Sequence, residues 1–338
     1  MLKLRRATVT SADPLTIDLD GESRRAWADL GMVGPCEPGD DVIVNVEAVD
    51  LGLGSGGFDI VHVNLTRGLT AGGSTDEHVM KLNYSSLQHP VGTVERGVDD
   101  DSQTVGPAVP VLAIGLHGHL APAAWAAGEA SEDLRIGYIQ TGGGALPGSL
   151  SRDVAELLDR GLLAGHVTAG PAYGGKNEAI TLVGAIDAAR GLGWDGVISG
   201  PGPGILGSAT VYGHGGMAAL DVLHGGLSLG APVVLSPRIS SGDPRPRHQG
   251  LSHHSQAVLE LALGAVNLPL PSGSEDLAAL AGSLGGGCHV VTVEEVDLAG
   301  YGSCGLPRRT MGRDLTEDPE FFGGPLAAGA RLATLISG

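Results

Sequence analysis

Residues 164–200 read AGHVTAGPAYGGKNEAITLVGAIDAARGLGWDGVISG, and this run decides the fold class of the larger part of the chain. Two short apolar runs, 164–170 and 194–200, have the length of strands, and each passes into a glycine-rich loop. Between them, 177–191 has the length and composition of a helix. Buried strands that alternate with helices are typical of a parallel sheet covered by helices on both faces.

The same rhythm continues on both sides of this run. Further strands are predicted at 109–116, 134–140, 231–237 and 288–294, and further helices at 121–130, 151–160, 215–229 and 255–264. Ser151 is a favourable N-cap residue, and Gly161 ends the helix that follows it. A TIM barrel needs eight strand–helix units, and the sequence contains fewer. The prediction for residues 105–338 is therefore a doubly wound, mainly parallel α/β sheet with helices on both faces.

The first 96 residues have a different rhythm. Runs such as LTIDLDG (15–21) and FDIVHVNLTRG (58–68) alternate roughly between apolar and polar residues, and Asp-Pro, Asp-Gly and Pro-Gly-Asp turns separate the runs of this part. No run here has helix length with helical spacing. The pattern predicts a small antiparallel β-barrel domain over residues 1–96, followed by the α/β domain.

Composition limits the classes of partner. The chain carries 38 acidic and 20 basic residues, a formal net charge of −18, and such a surface repels nucleic-acid phosphates. No apolar run approaches the length that crosses a membrane, so we expect neither a nucleic-acid nor a membrane partner. Cys36, Cys288 and Cys304 lie far apart and form no Cys-x-x-Cys motif. We therefore expect a reduced, cytoplasmic protein.

Ligands of doubly wound sheets bind beyond the carboxyl ends of the strands. Every loop predicted at that edge is rich in glycine or in ionisable groups, whereas the loops at the opposite edge are ordinary connections. The first strand runs into HGHLAP, which places His117 and His119 directly after it. Two imidazoles in this position can bind one metal ion, and they can also hydrogen-bond the backbone or shuttle protons. A divalent metal ion held by His117 and His119 is therefore one expected cofactor, with acid–base catalysis as the alternative.

Glycine-rich loops at the same edge are predicted to bind a substrate or an anion. TGGGALPG (141–148) and GPGPGILG (200–207) can present backbone amides to an anion, or can form turns that require positive φ. The second loop matches a G-x-G-x-x-G spacing, but Pro203 and the delayed start of the helix argue against a dinucleotide cofactor. The residues predicted to bind substrate or anion in these loops are Gly142, Gly143, Gly144, Gly202 and Gly204, and Lys176 is predicted to do so from GPAYGGKN (170–177), the loop after the third strand.

The stretch SSGDPRPRHQGLSHHS (240–255), which follows the fifth strand, holds the densest group of ionisable side chains. Pro244 and Pro246 stiffen it and predict an extended piece. On such a piece Arg245 and Arg247 share one face and can bind an anion bidentately, next to His248. The alternative is a loop in which Arg245 pairs with a carboxylate.

The end of this stretch begins a predicted helix. Ser252 is its N-cap, so His253 and His254 fall in the first turn. Neighbours on a helix point about 100° apart, and we therefore expect only one of the two to aim at a given target. His214 stands just before another helix, where anions are attracted. The predicted catalytic residues are His117, His119, His214, Asp243, His253 and His254.

Several strings together resemble a known family. They are GSGGFDIVHVNLTRGL, LHGHLAP, TGGGALPGSLS, GPGPGILG, DPRPRHQGLSHHS and TMGRDLTEDPEFF, and the similarity runs from about Val42 to Phe322. On these strings the chain is similar to an uncharacterised bacterial family, domain-of-unknown-function family 3866. The resemblance implies one bacterial protein type and carries no activity and no catalytic residue with it.

The residue types favour an enzyme. Hydrolysis or group transfer on a small polar or anionic metabolite suits histidine, arginine and glycine loops better than hydride transfer does. The alternatives are a non-catalytic sensor or carrier of an anion or nucleotide, and a scaffold whose barrel mediates partner binding or homo-oligomerisation. Whether Asp59, His62, Asn64 and Arg67 of the barrel join the site is open at this point.

Overall fold

The computed structural model describes residues 1–53, 56–69, 77–95, 108–131, 133–208 and 210–338. The chain forms two compact units, Met1–Val91 and Gly92–Gly338. The predicted boundary, residues 96–105, lies outside the described residues. The first unit consists mostly of strands, and the second alternates strands with helices.

The first unit contains a small closed barrel, as predicted. Its strands are β1 (Leu4–Ala12), β2 (Leu15–Leu19), β3 (Glu22–Trp27), β4 (Asp41–Asn45) and β5 (Asp59–Asn64), in the order β1-β2-β3-β5-β4. Two short helices, α1 (Leu30–Val33) and α2 (Glu47–Asp50), lie between strands, and β6 (Val79–Lys81) pairs with β7 (His89–Val91). The barrel pairs are antiparallel except β3–β5, which is parallel.

Alternation of side chains fills the barrel. Ala7, Val9, Ile17 and Val42 are buried in its core, while Thr8 between the first two is exposed. This is the period of two that a strand with one buried face requires.

Three of the barrel residues named above have partners within the barrel. Asn64 Nδ2 donates to Asp40 Oδ2 (2.9 Å), and Arg67 Nε donates to the same carboxylate (2.8 Å). Asp59 is buried, and its Oδ2 lies 3.6 Å from Arg24 Nη1. These groups therefore serve the barrel's own polar contacts.

The second unit has the following elements in chain order: β8 (Val111–Ala113), α3 (Leu120–Ala130), β9 (Ile136–Thr141), α4 (Arg152–Asp159), β10 (Gly165–Ala169), β11 (Asn177–Ala179), α5 (Leu182–Ala188), β12 (Gly196–Pro201), α6 (Ala218–Ser228), β13 (Val233–Leu235), β14 (Ile239–Ser240), β15 (Gly250–Leu251), α7 (His253–Leu261), β16 (Asn267–Pro271), α8 (Ala278–Ser283), β17 (Val290–Glu294), α9 (Leu298–Ser303), β18 (Arg309–Thr310), β19 (Arg313–Asp314) and α10 (Pro319–Ser337). The short pairs β14–β15 and β18–β19 are antiparallel.

Eight of these strands form one parallel sheet in the order β11-β10-β9-β12-β8-β13-β16-β17. From β8 the chain runs outward through β9 to β11, returns to β12, and then continues through β13 to β17 on the other side. The direction of winding reverses around β8 and β12, and such a reversal opens a crevice at the carboxyl ends of the strands. The predicted doubly wound sheet is confirmed.

Helices cover both faces of the sheet. Val111 and Val197 point into one core, which α5 and α6 cover, for example with Leu223. The next residues along the strands, Leu112 and Ile198, point into the opposite core, which includes side chains of α3 and α10. Because both of their faces are buried, the central strands β8 and β13 are apolar throughout, which is the pattern that the sequence shows.

The structure adds elements that the sequence pattern does not predict. Strand β16 reads NLPLP, and its prolines disguise a strand because proline cannot donate to the ladder. Helix α10 contains Pro325 and several glycines, which weaken the helical signal. The helix predicted over 177–191 begins only at Leu182, because Asn177–Ala179 pairs with β10. Among the described residues, no helix has the length and hydropathy needed to cross a membrane.

Candidate functional site

Segments that follow four adjacent strands carry most of the predicted site residues. In sheet order, residues 142–151 follow β9, residues 202–217 follow β12, residues 114–119 follow β8 and residues 236–255 follow β13. The carboxyl ends of adjacent parallel strands lie side by side, so these segments meet at one edge of the sheet.

Four histidines from two of these segments form what we call the histidine cluster: His214, His248, His253 and His254. The rings of His214 and His254 stack, with 3.6 Å between centroids and 11° between planes. His253 is edge-on to both, with centroids 5.7 Å from His214 and 4.4 Å from His254. His248 lies 4.7 Å from His253.

The cluster corrects the expectation that only one of His253 and His254 can aim at a given target. Both rings contact His214. The loop before α6 brings His214 against the first turn of α7, so two side chains that leave the helix in different directions reach one partner.

Hydrogen bonds determine which ring nitrogens are free. His253 Nδ1 lies 3.1 Å from the Arg247 carbonyl oxygen, which can only accept, so His253 Nε2 keeps its lone pair. Arg238 Nη1 donates to His254 Nδ1 (3.1 Å), so neutral His254 carries its proton on Nε2. Within the described part of the chain, neither ring nitrogen of buried His214 makes a hydrogen bond of good geometry, although the Val211 backbone is close enough to oppose the lowering of its pKa. The cluster thus offers an acceptor, a donor and an uncommitted ring.

Burial keeps the cluster neutral. It is the main cause that lowers the pKa of His248 to about 3 and the pKa of His254 to about 2, with the nearby Arg238 charge adding to both shifts. Burial also lowers the pKa of His214 and of His253. At neutral pH these imidazoles are therefore uncharged.

One nitrogen each from His214, His253 and His254 lies within 4.8 Å of the other two, a spacing that can hold a metal ion. His253 fits a ligand role, because its Nδ1–H bond to a carbonyl orients the lone pair of Nε2. The stacked rings fit less well. A nitrogen lone pair lies in the ring plane, and two nearly parallel planes 3.6 Å apart do not meet at one ion. Because Arg238 also donates to His254, the rings as placed fit acid–base roles better than a shared metal ion.

Three arginines converge on the buried carboxylate of Asp243. Arg245 donates from Nε to Oδ1 (2.9 Å) and from Nη2 to Oδ2 (2.8 Å), and Nη2 of Arg238 and of Arg313 lie 3.2 and 3.4 Å from Oδ2. The bond from Arg245 holds the pKa of Asp243 well below its usual range. Both carboxylate oxygens are occupied, so Asp243 holds arginines in place and is a poor general acid or base, contrary to its predicted catalytic role.

The segment after Asp243 is not extended as the prolines predict. Pro246–His248 form a 3₁₀ turn, with proline in the first position that such a turn tolerates. Arg245 binds Asp243, which is the alternative stated above, and the Arg247 side chain is exposed. The predicted extended segment, with Arg245 and Arg247 on one face, is therefore replaced by a turn.

His117 and His119 form a 3₁₀ turn after β8, and they have separate partners. His117 Nδ1 donates to the Pro201 carbonyl (3.2 Å), and His117 Nε2 accepts from the Ser151 hydroxyl (2.7 Å). His119 Nδ1 lies 2.8 Å from the Ser236 hydroxyl, and no described residue pairs with its buried Nε2. A metal ion is predicted at these two histidines, but no group of three possible ligands lies there among the described residues.

A cleft of about 510 Å³ opens beside the histidine cluster. Its wall includes His214, the strand-end residue Thr141 and glycines of the loop after β9, and its apolar residues are Leu182 of α5, Leu220 of α6 and Met217 just before α6. The ionisable side chains among its described wall residues are His214 and Asp221. The volume is that of a small-molecule site, and His214 is the cluster member that reaches it.

The predicted glycines divide into two groups. Gly142 and Gly143 line the cleft. A Cβ at Gly144 would lie 2.2 Å from the Gly202 carbonyl oxygen, so the loops after β9 and β12 pack backbone against backbone. Gly204 has a φ of +72°, a backbone conformation that favours glycine and occurs in turns. Lys176, in the loop between β10 and β11, is exposed and does not line the cleft.

Three residues of the site are not among those that the sequence predicts as functional. Ser151 is predicted only as an N-cap, which it is, since it accepts from Val154 N (3.1 Å). Arg238 follows the fifth strand closely, and this position at the carboxyl edge is the signal that identifies it. Arg313 lies 70 positions from Asp243, and no local pattern connects the two.

The profile of the family described as Protein of unknown function (DUF3866) matches residues 25–329 of the 338-residue chain. The chain belongs to this family. The DUF3866 match confirms the resemblance and includes the histidine cluster, Asp243 and the cleft. No curated protein and no solved structure matches the chain.

Proposed function

We propose that the chain is an enzyme of the hydrolase or group-transferase class that acts on a small polar metabolite in the cleft beside the histidine cluster. His214 carries the proposal. It is buried, neither of its ring nitrogens makes a hydrogen bond of good geometry to a described residue, and it belongs to the cleft wall and to the cluster at once. A neutral imidazole in this position takes a proton from a hydroxyl group or a water and returns it to a leaving group.

The cleft supports a polar substrate over an anionic one. No lysine or arginine is among its described wall residues, and Asp221 stands there as an acceptor for a hydroxyl or amino group. Of the two arginines expected to hold an anion, Arg245 binds Asp243, and Arg247 is exposed and does not line the cleft. The apolar wall of α5 and α6 would hold the body of the substrate.

The test combines a binding screen with turnover. Small polar metabolites, including esters, amides, nucleosides and phosphoesters, are ranked by the rise that they cause in thermal midpoint, and those that bind are assayed for products. We expect His214→Gln to lower turnover by about 10²–10⁴-fold. His224→Gln on the same helix is the control, because glutamine can still accept from Leu263 N as His224 does. Equal turnover in His214→Gln overturns the role of His214, and binding without turnover identifies a sensor or carrier.

A divalent metal ion is the second candidate, supported by the 4.8 Å spacing of nitrogens in His214, His253 and His254. Metal content is measured by mass spectrometry on protein purified without a histidine tag, before and after supplementation. About one ion per chain that disappears in His253→Ala but not in His224→Ala supports the site. The absence of a stoichiometric ion from the wild type contradicts it.

A cytoplasmic location is part of the proposal. Cys36 is buried, Cys304 is half-buried and Cys288 is exposed, and all three are free thiols. Unpaired cysteines are typical of proteins in a reducing compartment, which supports this location.

A further inference from the structure

Ser151 has a hydrogen bond that its capping role does not require. As the N-cap of α4 its Oγ accepts from Val154 N at 3.1 Å. The same oxygen lies 2.7 Å from His117 Nε2, 34 positions away in the chain. A serine hydroxyl has one proton, so its position relative to the imidazole decides what the pair can do.

The tautomer of His117 makes it the acceptor. Its Nδ1 faces the Pro201 carbonyl oxygen at 3.2 Å, and a carbonyl can only accept, so the ring proton is on Nδ1. Nε2 therefore holds a lone pair, and the Ser151 O–H donates to it. A hydroxyl that donates to a base, with the base oriented by a third group, is the arrangement that activates a nucleophile.

The surroundings suit this role. Burial lowers the pKa of His117, a shift that the nearby Asp153 carboxylate opposes only in part, so the ring is a neutral base at pH 7. The first turn of a helix leaves amide N–H groups without intrahelical partners, and in α4 these include the amides of Arg152 and Asp153 next to Ser151. Such amides can stabilise an oxyanion that forms beside the serine. Ser151 and His117 keep 5% and 7% of their surface exposed.

We propose that Ser151 is a nucleophile, with His117 as its base, toward activated carboxylic esters and related electrophiles. Ser151 Oγ forms a bond to the carbonyl carbon while its proton moves to His117 Nε2. The C–O bond to the leaving alcohol then breaks, and His117 returns the proton to that oxygen, which leaves an acyl-serine. Water, deprotonated by His117, cleaves the acyl-serine and restores both groups. This proposal uses neither His214 nor the cleft and does not rest on the proposed function. Either one can therefore be wrong while the other holds.

A fluorophosphonate probe on the full chain tests the nucleophile. Ser151 Oγ would bond to phosphorus, fluoride would leave, and peptide mass spectrometry would find the label on Ser151. Ser151→Asn keeps a good N-cap, adds no charge to this buried position and removes the hydroxyl, so it should fold with a thermal midpoint near that of the wild type and lose the label. Ser149→Ala, two positions away, should label as the wild type does. His117→Gln keeps hydrogen-bonding groups without a base, and we expect labelling about 100-fold slower.

Two results overturn the proposal. One is a folded wild-type protein that takes no label at Ser151 under conditions that label a serine hydrolase added as a standard. The other is a label on Ser151 that forms at the same rate in His117→Gln, which would mean that His117 is not its base.

Discussion

His117 and His119 are two positions apart in the sequence and share no partner, whereas His214 and His254 are forty positions apart and stack with 3.6 Å between centroids. The first two, which we call the strand-end pair, each bind a serine hydroxyl. The members of the histidine cluster contact one another, while Arg238 donates to His254 and the Ser252 hydroxyl lies 2.7 Å from His248 Nδ1. Proximity in the sequence thus does not by itself identify which imidazoles lie together.

The two groups differ in what their ring nitrogens can do. In the strand-end pair a serine hydroxyl binds one nitrogen of each ring, and the Pro201 carbonyl at Nδ1 fixes the tautomer of His117. In the cluster, the stacked ring of His214 makes no hydrogen bond of good geometry to a described residue. Stacking orders an imidazole without using its lone pairs, so the cluster combines order with available proton acceptors.

The largest expected difference between the two groups is their dependence on Asp243. Asp243→Ala leaves buried Arg238 without a carboxylate partner among the described residues, while Arg313 keeps Asp318, and breaking a buried ion pair costs about 3–5 kcal/mol of unfolding free energy. Because Arg238 also holds His254, the cluster should lose its order while the strand-end pair keeps its own. Denaturant unfolding measures the cost, and histidine NMR signals show which group moves.

Asp276→Ala is the matched control for this variant, because Asp276 is exposed in the same unit. It should change the unfolding free energy by less than about 0.5 kcal/mol. A cost below about 1 kcal/mol for Asp243→Ala would show that the arginines find other partners or water.

A sequence pattern describes only residues that are near one another in the chain, and this limits what it can reveal of the two groups. The strands that lead to His117 and to the 240–255 stretch are apolar runs followed by glycine or proline, and they predict the edge of the sheet where both groups lie. The bond of Arg313 to Asp243 and the approach of His214 to α7 depend on how loops fold over that edge. No periodicity or spacing encodes such a contact, and this is why Asp243 is predicted as catalytic although it is a counter-ion.

The same limit explains the misplaced elements of the fold. A pattern that counts prolines against a strand cannot detect β16, because Leu268 and Leu270 are buried in a core that residues from other elements, such as Leu223 and Leu259, complete. Burial on both faces outweighs the missing backbone donors of two prolines. Local propensity is thus a sound guide where the packing partner is the next element, and a poor one where it is distant.

The second expected effect is on stability in acid, and it concerns the strand-end pair. Burial lowers the pKa of His119 to about 3, against about 6.5 in the unfolded chain. Below pH 6.5 the unfolded chain therefore binds a proton that the folded protein does not, and stability falls by about 1.4 kcal/mol per pH unit as pH decreases toward 3. From pH 6.5 to 4.5 this one residue costs about 2–3 kcal/mol.

Replacing His119 by glutamine, which does not titrate but can still bond Ser236, should remove that part of the acid sensitivity. The measurement is urea unfolding of both proteins at pH 8, 6.5, 5.5 and 4.5. The difference in unfolding free energy between variant and wild type should be constant from pH 8 to about 7 and should then shift in favour of the variant as pH decreases. Parallel curves over the whole range would show that folded His119 takes up a proton as readily as the unfolded chain.

The smallest expected effect comes from the hydroxyl that holds His119. Ser236→Ala removes the partner of His119 Nδ1, and the described residues already provide none for Nε2, so the buried ring would lack both bonds. An unsatisfied buried donor or acceptor costs about 1–3 kcal/mol, and we expect the lower end because a small cavity of about 10 Å³ beside His119 has room for one water. The control is Ser228→Ala on α6, whose hydroxyl bonds only to Gly225 of its own helix among the contacts described, and whose loss should cost a few tenths of a kcal/mol. If the two variants are equally stable, the hydroxyl does not fix His119, and the contrast between a strand-end pair anchored by serines and a cluster anchored by stacking would rest on Ser151 and His117 alone.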